Sequence, residues 1–396
     1  MQEIEPARSF YPPPRILMGP GPSDVHPRVL HALARPTIGH LDPMFIELMD
    51  QIKALLQYAF QTQNELTLPV SGPGSVGMET CFVNLIEPGD RVVVCINGVF
   101  GQRMKENVER LGATAILVED PWGRAVDPRK LEATLKAESG VKAVAFVQAE
   151  TSTGALSDAK TLAAIARRAG ALTIVDAVTS LAGCELKVDE WGLDAVYSGT
   201  QKCLSCTPGL SPITFGSRAV HVIKNRQKKI QSWFMDMNLV MGYWGSATKR
   251  AYHHTAPVNA LYGLHEALVM LREEGLPAAW RRHRLHHLAL RAGLEALGLR
   301  FVVDEQQRLP QLNVVAVPDG IDETAVRRQL LDDFGLEIGA GLGVMAGKIW
   351  RIGLMGHSST PRHILFCLEA LASVIGAARG EGGKAAAAAR QVLAVR

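Results

Sequence analysis

The sequence predicts an α/β fold: a large domain on a mostly parallel central sheet, followed by a smaller C-terminal α+β domain. Three observations carry that prediction. Short β-branched apolar runs alternate with helix-period windows from about residue 67 to 216, the pattern of a layered α/β chain. Runs such as Ala143-Val144-Ala145-Phe146-Val147 are apolar without interruption, as strands covered on both faces are. The alternation stops after about residue 257, where long helical windows take over. With 396 residues the chain is also too long for one simple core. The expected organisation is an N-terminal arm over 1–22, a large domain over 23–275, a small domain over 276–379 and a flexible tail over 380–396.

Each element has its own warrant. Tyr11-Pro12-Pro13-Pro14 reads as an extended arm, because proline fixes φ and lacks a backbone donor. Gly19-Pro20-Gly21-Pro22 reads as a turn, and the forties and fifties as helix. Strands are expected at 67–70, 91–96, 114–118, 142–148, 172–176, 195–198 and 212–215, with helices such as 75–86 and 158–169 between them. Beyond residue 257 come a long helical region over 258–297, strands at 300–303 and 313–317, and a helix over 323–334. A strand at 349–353 and a last helix over 361–378 follow. The tail opens Gly-Glu-Gly-Gly and turns alanine-rich, which reads as frayed chain.

Composition excludes several function classes. The net charge of +3, from 42 basic against 39 acidic residues, gives no footprint for nucleic acid or an anionic membrane. Any anionic ligand must be held by local groups. No apolar run reaches the length of a membrane span, and Met-Gln-Glu-Ile-Glu-Pro at the start lacks the basic and apolar parts of a signal peptide. Six cysteines are scattered, several in apolar runs, which is not a disulfide framework. The expected compartment is the cytoplasm.

Four constellations carry chemistry. In Tyr197-Ser198-Gly199-Thr200-Gln201-Lys202, a lysine sits just beyond a strand's carboxyl end, where ligands of open α/β sheets bind. Partly desolvated, it can act as an amine nucleophile; the plain alternative is a surface lysine. In Val175-Asp176-Ala177-Val178, a carboxylate ends an apolar strand and needs a partner if buried. That partner can be a protonated ring nitrogen, or Asp176 can simply cap a helix. Ser71-Gly72-Pro73-Gly74-Ser75 follows a strand and opens a helix, so backbone N–H groups can face an anion; a tight turn needs glycine equally. Arg351 stands in the apolar strand Ile349-Trp350-Arg351-Ile352, where its fork suits a carboxylate ligand or a structural salt bridge.

Taken in order, these motifs resemble the alanine–glyoxylate (serine–pyruvate) aminotransferase branch of the class V pyridoxal-phosphate-dependent aminotransferases. Further matches are Leu17-Met18-Gly19-Pro20-Gly21-Pro22, Asn97-Gly98-Val99-Phe100-Gly101-Gln102, Glu150-Thr151-Ser152-Thr153-Gly154 and Tyr252-His253-His254-Thr255. The match spans roughly residues 15 to 378. The resemblance implies the type I aminotransferase fold and pyridoxal 5'-phosphate held as a Schiff base on Lys202, with Gln201 beside it. It implies Asp176 as partner of the pyridine nitrogen, Gly74, Ser75 and Thr200 on the phosphate side, Thr151 near the ring oxygen, Phe100 stacked on the ring, and Arg351 on the substrate carboxylate. Tyr252 and Thr255 match positions that reach the neighbouring subunit's phosphate, which implies a homodimer with shared sites. No metal is implied. Three departures stand out. Phe100 replaces tryptophan, with less stacking area. Thr151 replaces serine and keeps the hydroxyl. Pro73 replaces a hydroxyl residue and loses a donor.

The resemblance implies transamination, L-alanine and glyoxylate giving pyruvate and glycine. Serine–glyoxylate, ureidoglycine–glyoxylate and aminoethylphosphonate transamination remain alternatives on the same scaffold. A cysteine desulfurase needs a cysteine on a mobile loop, and Cys367 falls in a helical run. A nucleotide-binding α/β protein using only the glycine turn is the rival of a different class. Cys203-Leu204-Ser205-Cys206 lacks the context of a redox or zinc motif. His283, His286 and His287, amid arginines, read as a solvated helix face.

Overall fold

The computed structural model describes residues 8–245, 250–376 and 381–394. Among them is a seven-stranded sheet ordered Leu66–Ser71, Leu210–Phe215, Ala195–Tyr197, Leu172–Asp176, Val141–Val147, Arg91–Ile96, Thr114–Glu119. Leu210–Phe215 runs antiparallel to both neighbours, and the other pairings are parallel. The mostly parallel α/β sheet expected from the sequence is therefore present. Register puts the chemistry on one edge: Asp176 stands opposite Val147 on one side and Tyr197 on the other. The residues immediately after these strand ends lead into Gly74, Phe100, Glu150 and Lys202.

The helices follow from local chemistry. Asp42 caps Met44 N with Pro43 at the first position, Asp158 caps Thr161 N, and Asp322 caps Thr324 N and Ala325 N; each side chain satisfies a donor that the first turn leaves free. Helix Gly74–Leu85 packs on strands Ala195–Tyr197 and Leu210–Phe215. Gly77 permits that approach, since a Cβ there would fall on Ser211 Oγ.

A second apolar core gathers Leu290, Leu294, Trp350, Ile352, Leu368 and Leu371. Its sheet is Leu312–Ala316, Ile349–Gly353, Gly339–Ala340, all antiparallel. Met18 belongs to this core, and Ile16–Leu17 pairs in parallel with Leu336–Glu337. The N-terminal segment thus packs with the C-terminal elements; arm residues 1–7 lie outside the described residues.

Several expectations need correction. The helical region 258–297 is two helices, Val258–Glu274 and Leu276–Ala296, broken at Gly275 with φ 83°, a conformation that suits glycine. The strand expected at 300–303 reduces to a bridge between Phe301 and Val315. The last helix of that stretch ends at Val374, and 377–380 lie outside the described residues. The tail expected to be flexible is instead helix Glu381–Ala394, which packs against Leu276–Ala296 and Pro361–Val374. Ala385 and Ala389 are fully buried there; alanine is both the best helix former and small enough for close helix packing. Finally, His283, His286 and His287 do not face solvent. All three are buried, while Arg281 and Arg284 point outward.

Candidate active site

Asp176 is buried at the carboxyl end of its strand. One carboxylate oxygen accepts from the Val178 amide at 2.8 Å and the other from the Tyr197 hydroxyl at 2.8 Å. Burial pushes its carboxyl up to about 7; the two hydrogen bonds pull the other way, and Glu150 adds repulsion. A carboxylate so desolvated is stable only beside a cation or a proton donor.

Lys202 follows the neighbouring strand Ala195–Tyr197 and lies beneath the Gly19–Pro22 turn. Its amine donates to Pro20 O. Gly21 has φ 108°, and a Cβ on it would land on Lys202 Nζ, so only glycine covers this amine. Burial, with the Arg351 guanidinium acting in the same direction, pushes the amine down to about 8, while Asp176 favours the charged form. Such an amine has a usable unprotonated fraction near neutral pH.

Arg351 is buried within Ile349–Gly353. Its Nε donates to Ala340 O at 2.6 Å and Nη1 to Thr151 O at 2.9 Å. Burial pushes it down to about 10, with Glu150 opposing that shift. No salt bridge to Arg351 occurs among the described residues, which leaves the guanidinium charge available for an anion.

The remaining expected positions fall into two groups. Gly74 opens helix Gly74–Leu85, and a Cβ there would come within 3.0 Å of Val178 Cγ2. Ser75 is exposed in the first turn, and Pro73 at the cap position offers no side-chain bond. Thr151 and Thr200 are buried; the Thr200 hydroxyl is directed to Thr207 O at 2.7 Å. Gln201 Oε1 is buried without a hydrogen-bond partner among the described residues. Phe100 is partly buried, with the Arg103 guanidinium 4.9 Å from its ring centre. Tyr252 and Thr255 stand apart: Tyr252 is 60% exposed with its ring against His40, and Thr255 is exposed too.

Sequence reasoning missed two participants. Tyr197 holds Asp176 through its hydroxyl, a contact set by strand register and invisible in linear sequence. Glu150 is fully buried and accepts from Ser152 N, Ser152 Oγ and Phe100 N. A glutamate directly after an apolar strand was the available signal, because such a residue is seldom buried without a role.

Known proteins resemble this chain in sequence and fold. Residues 27–359 match the aminotransferase class-V family. The chain belongs to that family. This class V aminotransferase is 40% identical to the (S)-ureidoglycine–glyoxylate transaminase of Bacillus subtilis, over 93% of its length and 92% of the relative's. It is 39% identical to the alanine–glyoxylate aminotransferase of Drosophila melanogaster, over 93% and 94% respectively. The crystal structure of an alanine–glyoxylate aminotransferase from Nostoc sp. superposes with a TM-score of 0.90 at 43% identity, covering 94% of this chain and 97% of that one. The fold and the enzyme class follow: this is an aminotransferase of class V fold.

The family's members use pyridoxal phosphate, and the residues here fit that group. Glycine at 21 leaves the Lys202 amine clear, where a side chain would strike it. Asp176 is a buried acid suited to a ring cation, and Gln201 Oε1 waits for a donor. The motifs set aside also find their places. Cys203, Cys206 and Cys367 are buried free thiols. No helix among the described residues is long and apolar enough to cross a membrane.

Proposed function

We propose that this aminotransferase binds pyridoxal 5'-phosphate on Lys202 and transfers an amino group from L-alanine to glyoxylate, giving pyruvate and glycine. The observation that carries this reading is the convergence of a buried amine of lowered basicity and a buried acid at one edge of the central sheet with a buried guanidinium that reaches the same place from the second sheet, bonded to Thr151 O. Bound there, the coenzyme supplies an aldehyde for amines and a ring that withdraws electrons.

The chain's own residues do the rest. Arg351 binds the carboxylate common to donor and acceptor, which fixes the α-carbon. Lys202 takes the α-proton as base and returns it as acid, a role suited to an amine whose pKa lies near the working pH. Asp176, kept in register by Tyr197, holds a proton at the ring nitrogen. The Gly19–Pro22 turn covers the amine and keeps bulk water from it. The first turn of Gly74–Leu85 faces the phosphate with free N–H groups, and Phe100 stacks on the ring. Thr151 stands near the ring oxygen, and Thr200 and Gln201 line the same pocket. Tyr252 and Thr255, exposed in one copy, complete the site of a second copy, so the working form is a homodimer with shared sites in the cytoplasm.

Ureidoglycine as donor is the second reading, favoured by the similarity to the Bacillus subtilis relative. Both readings share glyoxylate as acceptor. Purified protein should absorb in the visible, and borohydride followed by peptide mass spectrometry should leave the coenzyme's mass on Lys202. A panel of alanine, serine and ureidoglycine with glyoxylate or pyruvate then ranks the donors. A colourless protein, or a Lys202→Ala variant of undiminished turnover, refutes the assignment.

A further inference from the structure

Glu150 has no place in the reaction just described, yet it is a fully buried carboxylate beside the site. It closes the short strand Ala149–Glu150. Its Oε1 accepts from Ser152 N at 3.0 Å and Ser152 Oγ at 2.5 Å, and its Oε2 from Phe100 N at 3.2 Å. Ser152 Oγ in turn accepts from Val99 N at 3.0 Å. The Gly101 amide also faces the carboxylate. The first amides of helix Val99–Arg110 therefore end on one buried carboxyl group and its serine relay, at the helix end whose dipole favours negative charge; burial pushes that carboxyl up, and the bonds from Ser152, Phe100 and Gly101 pull it back down. The cap residue Gly98 supplies no side-chain bond. A Cβ on Gly98 would strike Glu150 Cδ and Ser152 Oγ, so glycine is what lets the carboxylate close in.

The same carboxyl group is near enough to act electrostatically on Asp176 and Arg351, so the group that binds the helix start also belongs to the surroundings of the reacting groups. We propose that Glu150 is a positioning residue: through Phe100 N and the Ser152 relay it pins the helix start, and so fixes Phe100 against the coenzyme ring. This rests on the pyridoxal-phosphate reading above. A cap made by solvent-exposed serine or aspartate would leave the first turn free to fray. A buried carboxyl group cannot leave these amides without leaving its oxygens short of hydrogen bonds away from water.

The test has two arms. Hydrogen–deuterium exchange of the coenzyme-free protein reads the amides of residues 99–101 in wild type, Glu150→Gln and Ser152→Ala. Exchange should quicken about ten-fold or more in either variant, in line with loss of a charge-assisted hydrogen bond. The second arm measures the Kd for pyridoxal phosphate by tryptophan fluorescence in a double-mutant cycle with Phe100→Leu. Glu150→Gln should raise Kd about ten-fold when Phe100 is present and leave it unchanged when Phe100 is leucine. Additive effects in the cycle, or unchanged exchange at 99–101, overturn the proposal. Wild type that binds no pyridoxal phosphate refutes the functional reading instead, and the exchange arm still decides whether Glu150 pins the helix.

Discussion

Acid should loosen this enzyme through three histidines of one helix, and the structure sets the size of the effect. His283 Nε2 accepts from the Gly356 amide at 2.9 Å while Nδ1 meets Ala279 O at 2.7 Å. Only the neutral ring with hydrogen on Nδ1 satisfies both contacts. His287 Nδ1 donates to Asn313 Oδ1 at 2.6 Å, and His286 Nδ1 faces Ser359 Oγ at 2.9 Å. Burial pushes His283 down to about 3 and His287 and His286 to about 4, with neighbouring arginines adding repulsion. The folded values lie below the unfolded one, so the unfolded chain binds more protons as pH drops. The stability is whole above pH 6.5 and is lost progressively toward pH 4. Each unit costs about 1.4 kcal/mol per histidine that stays neutral. His283 and His287 together then remove roughly 3–4 kcal/mol between pH 6 and 4.5, a large part of an ordinary folding free energy. His286 is less shielded and adds less. Urea unfolding at pH 7, 6, 5 and 4.5, on wild type and His287→Gln, isolates one site. The variant's stability should fall with pH less steeply by about 1.4 kcal/mol per unit. Equal slopes would mean that His287 takes up its proton in the folded state as readily as in the unfolded one, and the reasoning would fail.

Three further outcomes are expected. Gly21→Ala strains a φ of 108° and drives a methyl onto Lys202 Nζ; coenzyme attachment, read from visible absorbance, should be largely lost while the circular dichroism spectrum is kept. Arg351→Lys replaces a planar fork by a point charge, so KM for both the amino donor and the keto acid should rise about ten-fold or more, measured in steady state with each substrate varied. Ala389→Asp buries an unpaired carboxylate between helix Glu381–Ala394 and its neighbours. It should cost about 2–4 kcal/mol, seen as a lower thermal midpoint; an unchanged midpoint would argue against that helix being packed.

The central sheet was legible because its strands are buried on both faces, so apolar runs such as Arg91–Ile96 and Leu172–Asp176 coincide with the structural elements. Boundaries slipped where a tertiary partner decides the outcome. Residues 300–302 meet Leu312–Ala316 through one bridge at Phe301 and the flanking bonds Val302 N to Val314 O and Ala316 N to Arg300 O, too short a stretch for a strand. The histidine helix misled because charge density in sequence does not say which way a side chain turns: arginine and histidine alternate there around the helix, and the histidines take the inner side. The alanine-rich end misled for a related reason. Small residues carry a weak apolar signal by themselves, yet they suit a tight helix–helix seam. At the site, Asp176 and Arg351 could be named because each is an unlikely residue for its apolar strand, and Lys202 because it lies just beyond a strand's carboxyl end. Tyr197 could not, since an aromatic residue in a strand looks like core until register puts its hydroxyl on Asp176.

The union of Ile16–Leu17 with Leu336–Glu337, sealed by the Gly353 amide donating to Met18 O, has a consequence for biogenesis. The lid over Lys202 is tied at one end by Ser23 to Gln201 O and Lys202 O, but its leading strand cannot be tied down until roughly three hundred more residues have left the ribosome, a closure that is entropically demanding. The reactive amine, made after its lid, therefore lies under a turn tied at one end only while residues 203–336 are added, and truncation upstream of residue 336 leaves strand Ile16–Leu17 without a mate. Chaperone dependence should concentrate in that interval.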